Sequence, residues 1–469
     1  MTKPDSPGGN HHGLPVLQTY VPILPSGQAP AADSVPGLVL APFRGVRYAE
    51  ERVSGLAEVT SPPYDVIAAD NESQLMAMDP HNVVRLILPR HAPGQPGSPY
   101  EDAAADLTAW LASGILVPDS KPALYVYEQF EVGANGAEVE GGIRQRGLIG
   151  ALGLVPPSAG IVQPHENVVP GPVAGRRQLM EATQANLEPI FLLYEGGNGA
   201  ATKLADSVAS SRLPLAEART ADGLRHRVWA VTDPGEQEAA AADLAQRTAL
   251  IADGHHRYAA YRQLQQRRHD SGAGSGPWDL GLALLVDSNA YPPRLGAIHR
   301  LILGLVPEVA ARLAAEAFSV RELPGGSADV DAALADLASA CDTSVAFLLT
   351  GAGRAFLLTD PDPALLRSAV PDQPGELWQH LPGRVLEGLL FDRIWGIEDD
   401  ARSVQAIHDA GEAIRAAEAE PAGTAVICCP MSAAQVYQVA ALGQRVPRKS
   451  TSFGPKPRTG LVLRLFAEG

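Results

Sequence analysis

The residues of this chain best suited to chemistry lie together in Asp253-Gly254-His255-His256-Arg257. An apolar run ends just before them and a helix-forming segment follows, which predicts a strand, a tight turn and a helix. A helix entered through glycine presents unpaired backbone N–H groups and the positive end of its dipole, and both favour an anion. The imidazoles and the guanidinium add donors for a phosphate. The alternative is a surface turn with an Asp N-cap and exposed polar side chains.

A second candidate segment is Ser61-Pro62-Pro63-Tyr64-Asp65. Its two consecutive prolines exclude a helix and favour an extended backbone. Such a loop would hold Tyr64 and Asp65 in fixed positions, with Tyr64 near a substrate. The alternative is a simple connection built from prolines.

A third candidate segment is Pro164-His165-Glu166, which is followed by the pair Arg176 and Arg177. A carboxylate beside an imidazole, with two arginines further along the chain, suits a general base and its electrostatic setting. The alternative is a solvated loop.

The C-terminal part of the chain carries a basic strip over 445–460. From Pro421 to Ala467 the sequence has no Asp or Glu, and the strip holds five Lys or Arg residues. In a protein with a formal net charge of −16, this concentration favours an anion. The run 449–451 (Lys-Ser-Thr) lacks the glycines of a Walker loop, but with Lys456 it offers ammonium groups and hydroxyls to a phosphate. The alternative is a basic surface loop.

The composition indicates which classes of protein could carry these segments. Its 469 residues are 45% hydrophobic and 19% charged, which suffices for two or three packed units. The acidic net charge argues against general binding to nucleic acid or to an anionic membrane. Three cysteines form neither a disulfide framework nor a zinc-type spacing, and no apolar run has the length of a membrane span. We therefore expect a soluble, cytoplasmic protein with reduced cysteines.

Hydrophobic periodicity predicts an α/β fold, mixed α+β, whose elements must position the candidate segments. Strands are expected at 83–88, 123–130, 147–154, 189–194, 227–231, 248–252, 281–286 and 424–429, and helices at 100–113, 257–268, 307–317, 328–339, 403–418 and 433–442. The expected domains are a disordered tail (1–36), an N-terminal core with the phosphate turn (37–295), an α/β subdomain (296–400) and a C-terminal segment with the basic strip (401–469).

Together, the four candidate segments strongly resemble domain-of-unknown-function family 1015 of bacteria and archaea, over about Val39 to Phe466. The Asp-Gly-His-His-Arg turn also resembles the phosphate-binding turn of a superfamily that joins the partition-protein nucleotide domain, sulfiredoxin and the free-serine kinases. The resemblance implies a partition-protein/sulfiredoxin-like core with added α/β subdomains. It also implies phosphorylation of free L-serine, or of a similar hydroxyl compound, to O-phosphoserine. Sulfiredoxin chemistry is disfavoured because it needs a cysteine where this chain has His255.

This resemblance and the needs of phosphoryl transfer imply a role for each candidate residue. ATP, ADP or pyrophosphate would be the donor, and Mg²⁺ would arrive with the phosphates. Backbone N–H groups from Gly254 onward would cradle those phosphates. The residues expected to neutralise them or to close over them are His255, His256, Arg257, Lys449, Ser450, Thr451 and Lys456.

The base that takes the hydroxyl proton is expected to be Glu166, with Asp65 or Asp253 as alternatives. His165 and one of the arginines 176 and 177 would hold the substrate carboxylate or orient the base. A metal site made of protein ligands is not expected, because the adjacent histidines 255 and 256 cannot face one ion as an i, i+4 pair would.

Two other classes of protein compete with a kinase. A nucleotide-responsive binding or regulatory protein would share the phosphate pocket but lack a competent base. A metal-dependent phosphohydrolase is suggested by His408-Asp409, which the pattern places inside a helix without companion histidines at useful spacing. No helix-turn-helix or basic face is evident, so the expected partner is a small molecule rather than nucleic acid. The oligomeric state stays open.

Overall fold

Residues 37–67, 69–91, 94, 96–369, 380–400, 402–447 and 449–468 are described by the computed structural model of the chain. The tail expected at 1–36 lies outside these residues. The described residues form a mixed α/β fold, as expected, and two large sheets organise it. No helix among them is long and apolar enough to cross a membrane.

The first sheet has nine strands within the described residues. In chain order they are β1 (Leu40–Ala41), β2 (Leu124–Glu131), β3 (Arg144–Gly153), β4 (Val162–Gln163), β5 (Ile190–Tyr194), β6 (Ala216–Arg219), β7 (Leu224–Val231), β8 (Ala249–Asp253) and β9 (Leu280–Asp287). Their spatial order is β4-β8-β5-β9-β3-β2-β7-β6, and β1 pairs with β3. Strands β5, β8 and β9 are continuous apolar runs because both faces of this part of the sheet are buried.

Helices cover the first sheet, and several begin at a proline, whose fixed φ suits the first helical turn. Their bounds are Leu56–Val59, Ala69–Met78, Val84–Ile87, Pro99–Ala112, Pro170–Thr183, Ala200–Ser211, Pro234–Leu244 and His255–Asp270. Short 3₁₀ turns lie at Glu50–Arg52, Tyr64–Val66, Pro157–Ala159 and Pro277–Asp279.

The second sheet has six strands within the described residues. They are β10 (His299–Leu303), β11 (Ser319–Glu322), β12 (Phe347–Gly351), β13 (Arg354–Thr359), β14 (Val404–Ile407) and β15 (Gly423–Cys428), in the spatial order β11-β13-β12-β15-β10-β14. The helices beside it are Pro307–Ala314, Val330–Cys341, Pro363–Ala369, Pro382–Arg384, the π-helix Val385–Trp395 and Ala410–Ala419. The last helix, Ala433–Ala441, packs instead into the core of the first sheet through Val436, Val439 and Ala440. The expected domain boundary between residues 400 and 401 falls within this sheet, because β14 and β15 follow it and the other four strands precede it.

The last residues of the chain return to the first half of the molecule. Ser452–Gly454 pairs with Arg294–Gly296, and Arg464–Leu465 pairs with Ala185–Asn186. An isolated bridge joins Thr459 to Ser61. The basic strip therefore crosses over the first half of the chain and lies beside its loops.

Three local expectations were wrong. Residues 83–88, expected as a strand, contain the short helix Val84–Ile87. The helix expected at 403–418 is a strand, β14, followed by a helix that begins at Ala410 with Asp409 as its N-cap. Cys341 and Cys429, expected as free thiols, form a disulfide, which a separation of 88 residues hides from any local pattern.

Candidate functional site

The predicted strand, turn and helix are present at the end of β8. Asp253 is the last residue of the strand, and the helix His255–Asp270 follows Gly254 directly. Gly254 has φ of +92°, and a Cβ there would lie 3.0 Å from Ile190 Cγ2 and 3.1 Å from Arg257 Nε. Glycine is therefore required at this position both by its backbone conformation and by crowding.

Asp253 is the centre of a buried ion-pair cluster. Its carboxylate pairs with Arg257, one helical turn on, and with Lys456 of the basic strip, whose Nζ lies 2.5 Å from Oδ1. The exposed fractions of Asp253 and Arg257 are only 7% and 3%. Burial alone would raise the pKa of Asp253, but the charges of Lys456 and Arg257 outweigh it and lower that pKa.

The Pro-Pro loop brings Tyr64 and Asp65 to the same cluster. Lys456 Nζ lies 3.5 Å from Asp65 Oδ1. The Tyr64 ring has the Arg176 guanidinium 4.1 Å from its centroid and the Arg257 guanidinium 5.9 Å away on the same measure. Cation–π contacts therefore position the Tyr64 side chain, and an ion pair positions the Asp65 side chain.

The cluster contains one buried carboxylate that was not predicted from the sequence. Glu188 is 4% exposed, accepts a hydrogen bond from Tyr64 N at 3.0 Å and lies 3.6 Å from Arg176. Burial raises the pKa of its carboxyl, although Arg257 and Arg176 oppose that shift. The only local signal was an acidic residue directly before Pro189 and the apolar strand β5.

Three imidazoles lie on the other side of the turn. His165 Nε2 is 3.0 Å from Thr451 Oγ1, and the backbone N–H of His165 donates to His255 Nε2 at 3.3 Å. The rings of His165 and His255 meet edge to face with centroids 4.5 Å apart. His256 Nε2 accepts from Val169 N at 3.1 Å. The 164–169 loop, the turn and the strip are therefore joined through histidine side chains.

Two of these histidines, His165 and His255, are held neutral. Burial lowers the pKa of His165 to about 4. Burial also lowers the pKa of His255 well below its usual value, and the neighbouring basic groups of His165, His256, Arg445 and Lys456 lower it further. Basic side chains therefore converge around the first turn of the helix, whose dipole also favours an anion.

Some of the predicted residues of the strip contact the other candidate segments, and others do not. Lys449, at φ +54°, donates from its backbone N to Glu166 Oε1 at 3.2 Å and accepts from Arg300 Nη1 at 3.0 Å. The Ser450 hydroxyl instead faces Gly383, and Oγ has no hydrogen-bond partner among the described residues. Arg177 also lies apart, since it pairs with Glu181 on its own helix at 2.5 Å.

A cleft of about 620 Å³ borders Asp65 and Lys456. Its walls come from the Pro-Pro loop, from the β6–β7 hairpin, from the end of β14 and from the strip. His408 lines this cleft because it lies between β14 and the next helix rather than inside a helix. Within the described residues, no group of three His, Cys, Asp or Glu side chains is arranged to hold a metal ion.

The family follows from the sequence match. The model of the family described as "Protein of unknown function (DUF1015)" matches residues 40–382. The chain belongs to this family. No curated protein matches it.

Several solved structures resemble parts of this DUF1015 protein. A mutant free serine kinase in complex with ADP is 17% identical, with a TM-score of 0.32 over 66% of this chain and 90% of that chain. SbnI with a C-terminal truncation from Staphylococcus aureus is 11% identical, with a TM-score of 0.34 over 68% and 87% of the two chains. A conserved hypothetical protein from Pyrococcus furiosus is 15% identical, with a TM-score of 0.34 over 66% and 94%. At these scores the likeness fixes neither the ligand nor the arrangement of the site.

Proposed function

We propose that the protein is a phosphotransferase that moves a phosphoryl group from ATP, ADP or pyrophosphate to the hydroxyl of free L-serine or a similar small compound. The observation that carries this proposal is the contact of Lys456 with both Asp253 and Asp65, at 2.5 and 3.5 Å. It joins the turn after β8 to the Pro-Pro loop and the basic strip, and the latter two line one cleft.

The donor phosphates would lie against the first turn of the helix His255–Asp270. The first backbone N–H groups of a helix have no partners within the helix. His165 contacts both His255 and Thr451, and Glu166 accepts the Lys449 N–H bond, so the strip lies beside this turn. Neutral imidazoles surrounded by cations suit this role, because a phosphate would compensate the positive charge. Any magnesium would be held chiefly by the phosphates, in keeping with its preference for phosphate oxygens and water.

Asp65 is the base that we favour for the acceptor hydroxyl. The acceptor oxygen bonds to the terminal phosphorus, the bond from that phosphorus to the donor oxygen breaks, and the hydroxyl proton passes to the carboxylate. Asp65 lines the cleft and its side chain is 32% exposed. Asp253 is buried between two cations that lower its pKa, and Glu166 already accepts the Lys449 N–H bond, so both are less suited.

The assay is an incubation with L-serine and each of the three donors, with O-phosphoserine measured by mass spectrometry. We expect product with one donor or more. Stabilisation of the protein by a nucleotide without product from any donor would instead identify a nucleotide-responsive binding or regulatory protein.

Two matched variants identify the base. Asp65→Asn should lower the rate of O-phosphoserine formation by about 10²–10⁴-fold, the usual contribution of a positioned general base. Glu166→Gln retains a side-chain oxygen for the Lys449 N–H bond and should keep most of the activity. Asp331→Asn, on an exposed helix of the second half, is the control for loss of a carboxylate as such. The reverse pattern, with Glu166→Gln inactive and Asp65→Asn active, would assign the base to Glu166.

A further inference from the structure

We propose that Arg458 binds a carboxylate of the acceptor, and that this contact selects acceptors bearing a carboxylate over otherwise similar alcohols. This inference rests on the proposed phosphotransferase function and adds to it a specificity residue at one end of the cleft. Arg458 was counted in the basic strip but was not among the expected site residues.

Arg458 lines the same cleft as Asp65 and Lys456. Its guanidinium is largely buried, and its hydrogen-bond partners are neutral. Nε donates to Thr60 Oγ1 at 3.0 Å, and Nη2 donates to the backbone oxygens of Thr60 and Ala57 at 2.8 and 3.4 Å. Among the described residues, no carboxylate forms an ion pair with it. One edge of the guanidinium is thus held by the protein, while Nη1 has none of these bonds.

Arg458 differs from Lys456, two residues earlier, in how its charge is compensated. Lys456 is compensated by Asp253 and Asp65. Burial lowers the pKa of Arg458, and the charge of Asp222 opposes that shift without reversing it, whereas the carboxylates near Lys456 raise the pKa of that residue despite its burial. A buried guanidinium without a charged partner is costly, and an incoming anion removes that cost. The cleft therefore has one cation already neutralised and one that is not.

A hydrogen-bonded chain holds the Arg458 backbone in place. Arg458 N donates to Tyr127 Oη at 3.1 Å, and Tyr127 Oη lies 2.9 Å from His226 Nδ1. Because the Thr220 hydroxyl donates its one proton to Asp222, it accepts from His226 Nε2–H, 3.0 Å away, and the unprotonated Nδ1 of the neutral ring accepts from the Tyr127 hydroxyl. Thr220 in turn bonds to Asp222 at the cleft wall.

This chain also keeps His226 from contributing charge or from competing for the ligand. Burial, and next the Arg458 charge, lower the pKa of His226 to about 3, and the residue is 1% exposed. Both ring nitrogens are occupied by Tyr127 and Thr220. The anion-binding capacity at this end of the cleft therefore resides in the Arg458 guanidinium. Its Nη1 group, which has none of the bonds that hold Nε and Nη2, can donate a charge-assisted hydrogen bond to a carboxylate.

The first test uses the wild-type protein. L-Serine, D-glycerate and serinol are compared, since serinol replaces the carboxylate of serine by a hydroxymethyl group and keeps the acceptor hydroxyl. Equilibrium binding is measured by calorimetry without a donor, and kcat/KM is measured with the active donor. We expect L-serine and D-glycerate to exceed serinol by about 100-fold or more in both measurements, since an unpaired binding group penalises the truncated ligand.

The second test uses Arg458→Gln and Arg458→Lys, with Arg321→Gln on the exposed strand β11 as the matched control. Arg458→Gln should abolish the preference for carboxylates by raising KM for L-serine, and Arg458→Lys should restore it only in part. KM for the donor should stay unchanged. Circular dichroism checks that the variants fold, and the wild-type comparison stands if one does not.

The outcomes separate this inference from the proposed function. Carboxylate binding that depends on Arg458, without phosphoryl transfer from any donor, supports the inference and removes the function. The inference is overturned if serinol equals L-serine, if no carboxylate binds to the wild type, or if Arg458→Gln raises KM for the donor and leaves the acceptor unaffected. That last result would place a donor phosphate at Arg458.

Discussion

At the scale of single residues, the site depends on how each buried charge is compensated. Asp65, Glu188 and Asp253 supply three carboxyl groups to the cluster around the turn, and Arg176, Arg257 and Lys456 supply three cations. Buried charges are tolerated when they are paired, and their removal one at a time leaves an unpaired charge. The cluster is therefore more sensitive to loss of one member than a surface network would be.

Asp253→Asn tests this sensitivity. The substitution leaves Arg257 at 3% exposure, and Lys456 beside it, without their shared carboxylate. We expect the free energy of unfolding to fall by about 3–5 kcal/mol, the usual cost of breaking a buried pair. Urea denaturation of the variant measures the change, and Asp331→Asn is the surface control. Equal midpoints for the two variants would contradict the assignment of Asp253 as the centre of the cluster.

At the scale of elements, the basic strip is positioned by the second half of the chain. Arg300, on β10, is 2% exposed and donates to the Lys449 carbonyl. Gly383 lies against Ser450, and a Cβ on it would come within 3.0 Å of Ser450 Cβ and 3.4 Å of Pro447 Cγ. The helix Pro382–Arg384 therefore acts as a stop against which the strip rests.

Gly383→Ala should displace the strip. The added methyl group forces Ser450 and its neighbours to move, which in a packed site costs about 1–3 kcal/mol. We expect weaker binding of the phosphoryl donor together with a small loss of stability, because Lys449 and Thr451 flank Ser450. Gly171→Ala is the control, since its Cβ would meet no atom within 4 Å and it lies in a helix. Unchanged donor affinity in Gly383→Ala would show that Ser450 does not set the position of the strip.

The local elements of this site can be predicted from sequence, and its cross-chain contacts cannot. The turn at Asp253 follows from an apolar run, a glycine and a helix-forming segment that are adjacent in sequence. Glu188 meets Tyr64 across 124 residues, and Arg458 meets Tyr127 across 331. Nothing in either neighbourhood marks the partner, because these contacts are set by how the sheets and the returning strip pack.

The same limit explains the residues placed differently from expectation. Ser450 looked like a phosphate ligand from its neighbours in sequence, but its hydroxyl faces Gly383, 67 residues earlier. Arg177 differs from Arg176 by one helical step of about 100°, so one faces the cluster and the other faces Glu181. The adjacent arginines do not themselves show which face of the helix Pro170–Thr183 meets the site.

At the scale of the whole molecule, burial of histidines couples stability to pH. Burial lowers the pKa values of His165 and His299 to about 4 and that of His226 to about 3, and it also lowers those of His255 and His408. Two buried carboxyls act in the opposite direction, because burial raises the pKa of Glu387 to about 7 and that of Glu188 above its usual value.

The net effect is a loss of stability in mild acid. Below about pH 6.5 the unfolded imidazoles bind protons and the folded ones do not, so each histidine lowers the free energy of unfolding by about 1.4 kcal/mol per pH unit until its folded pKa is reached. The raised carboxyls offset part of this, since Glu387 binds a proton in the folded state between about pH 7 and its unfolded value near 4.5. Denaturation curves at pH 7, 6 and 5 should therefore show stability falling with pH. His299 lies on β10, outside the proposed site. The substitution His299→Gln should reduce the loss of unfolding free energy per pH unit by the contribution of one histidine. Stability that stayed level or rose toward pH 5 would mean that these imidazoles are charged in the folded protein.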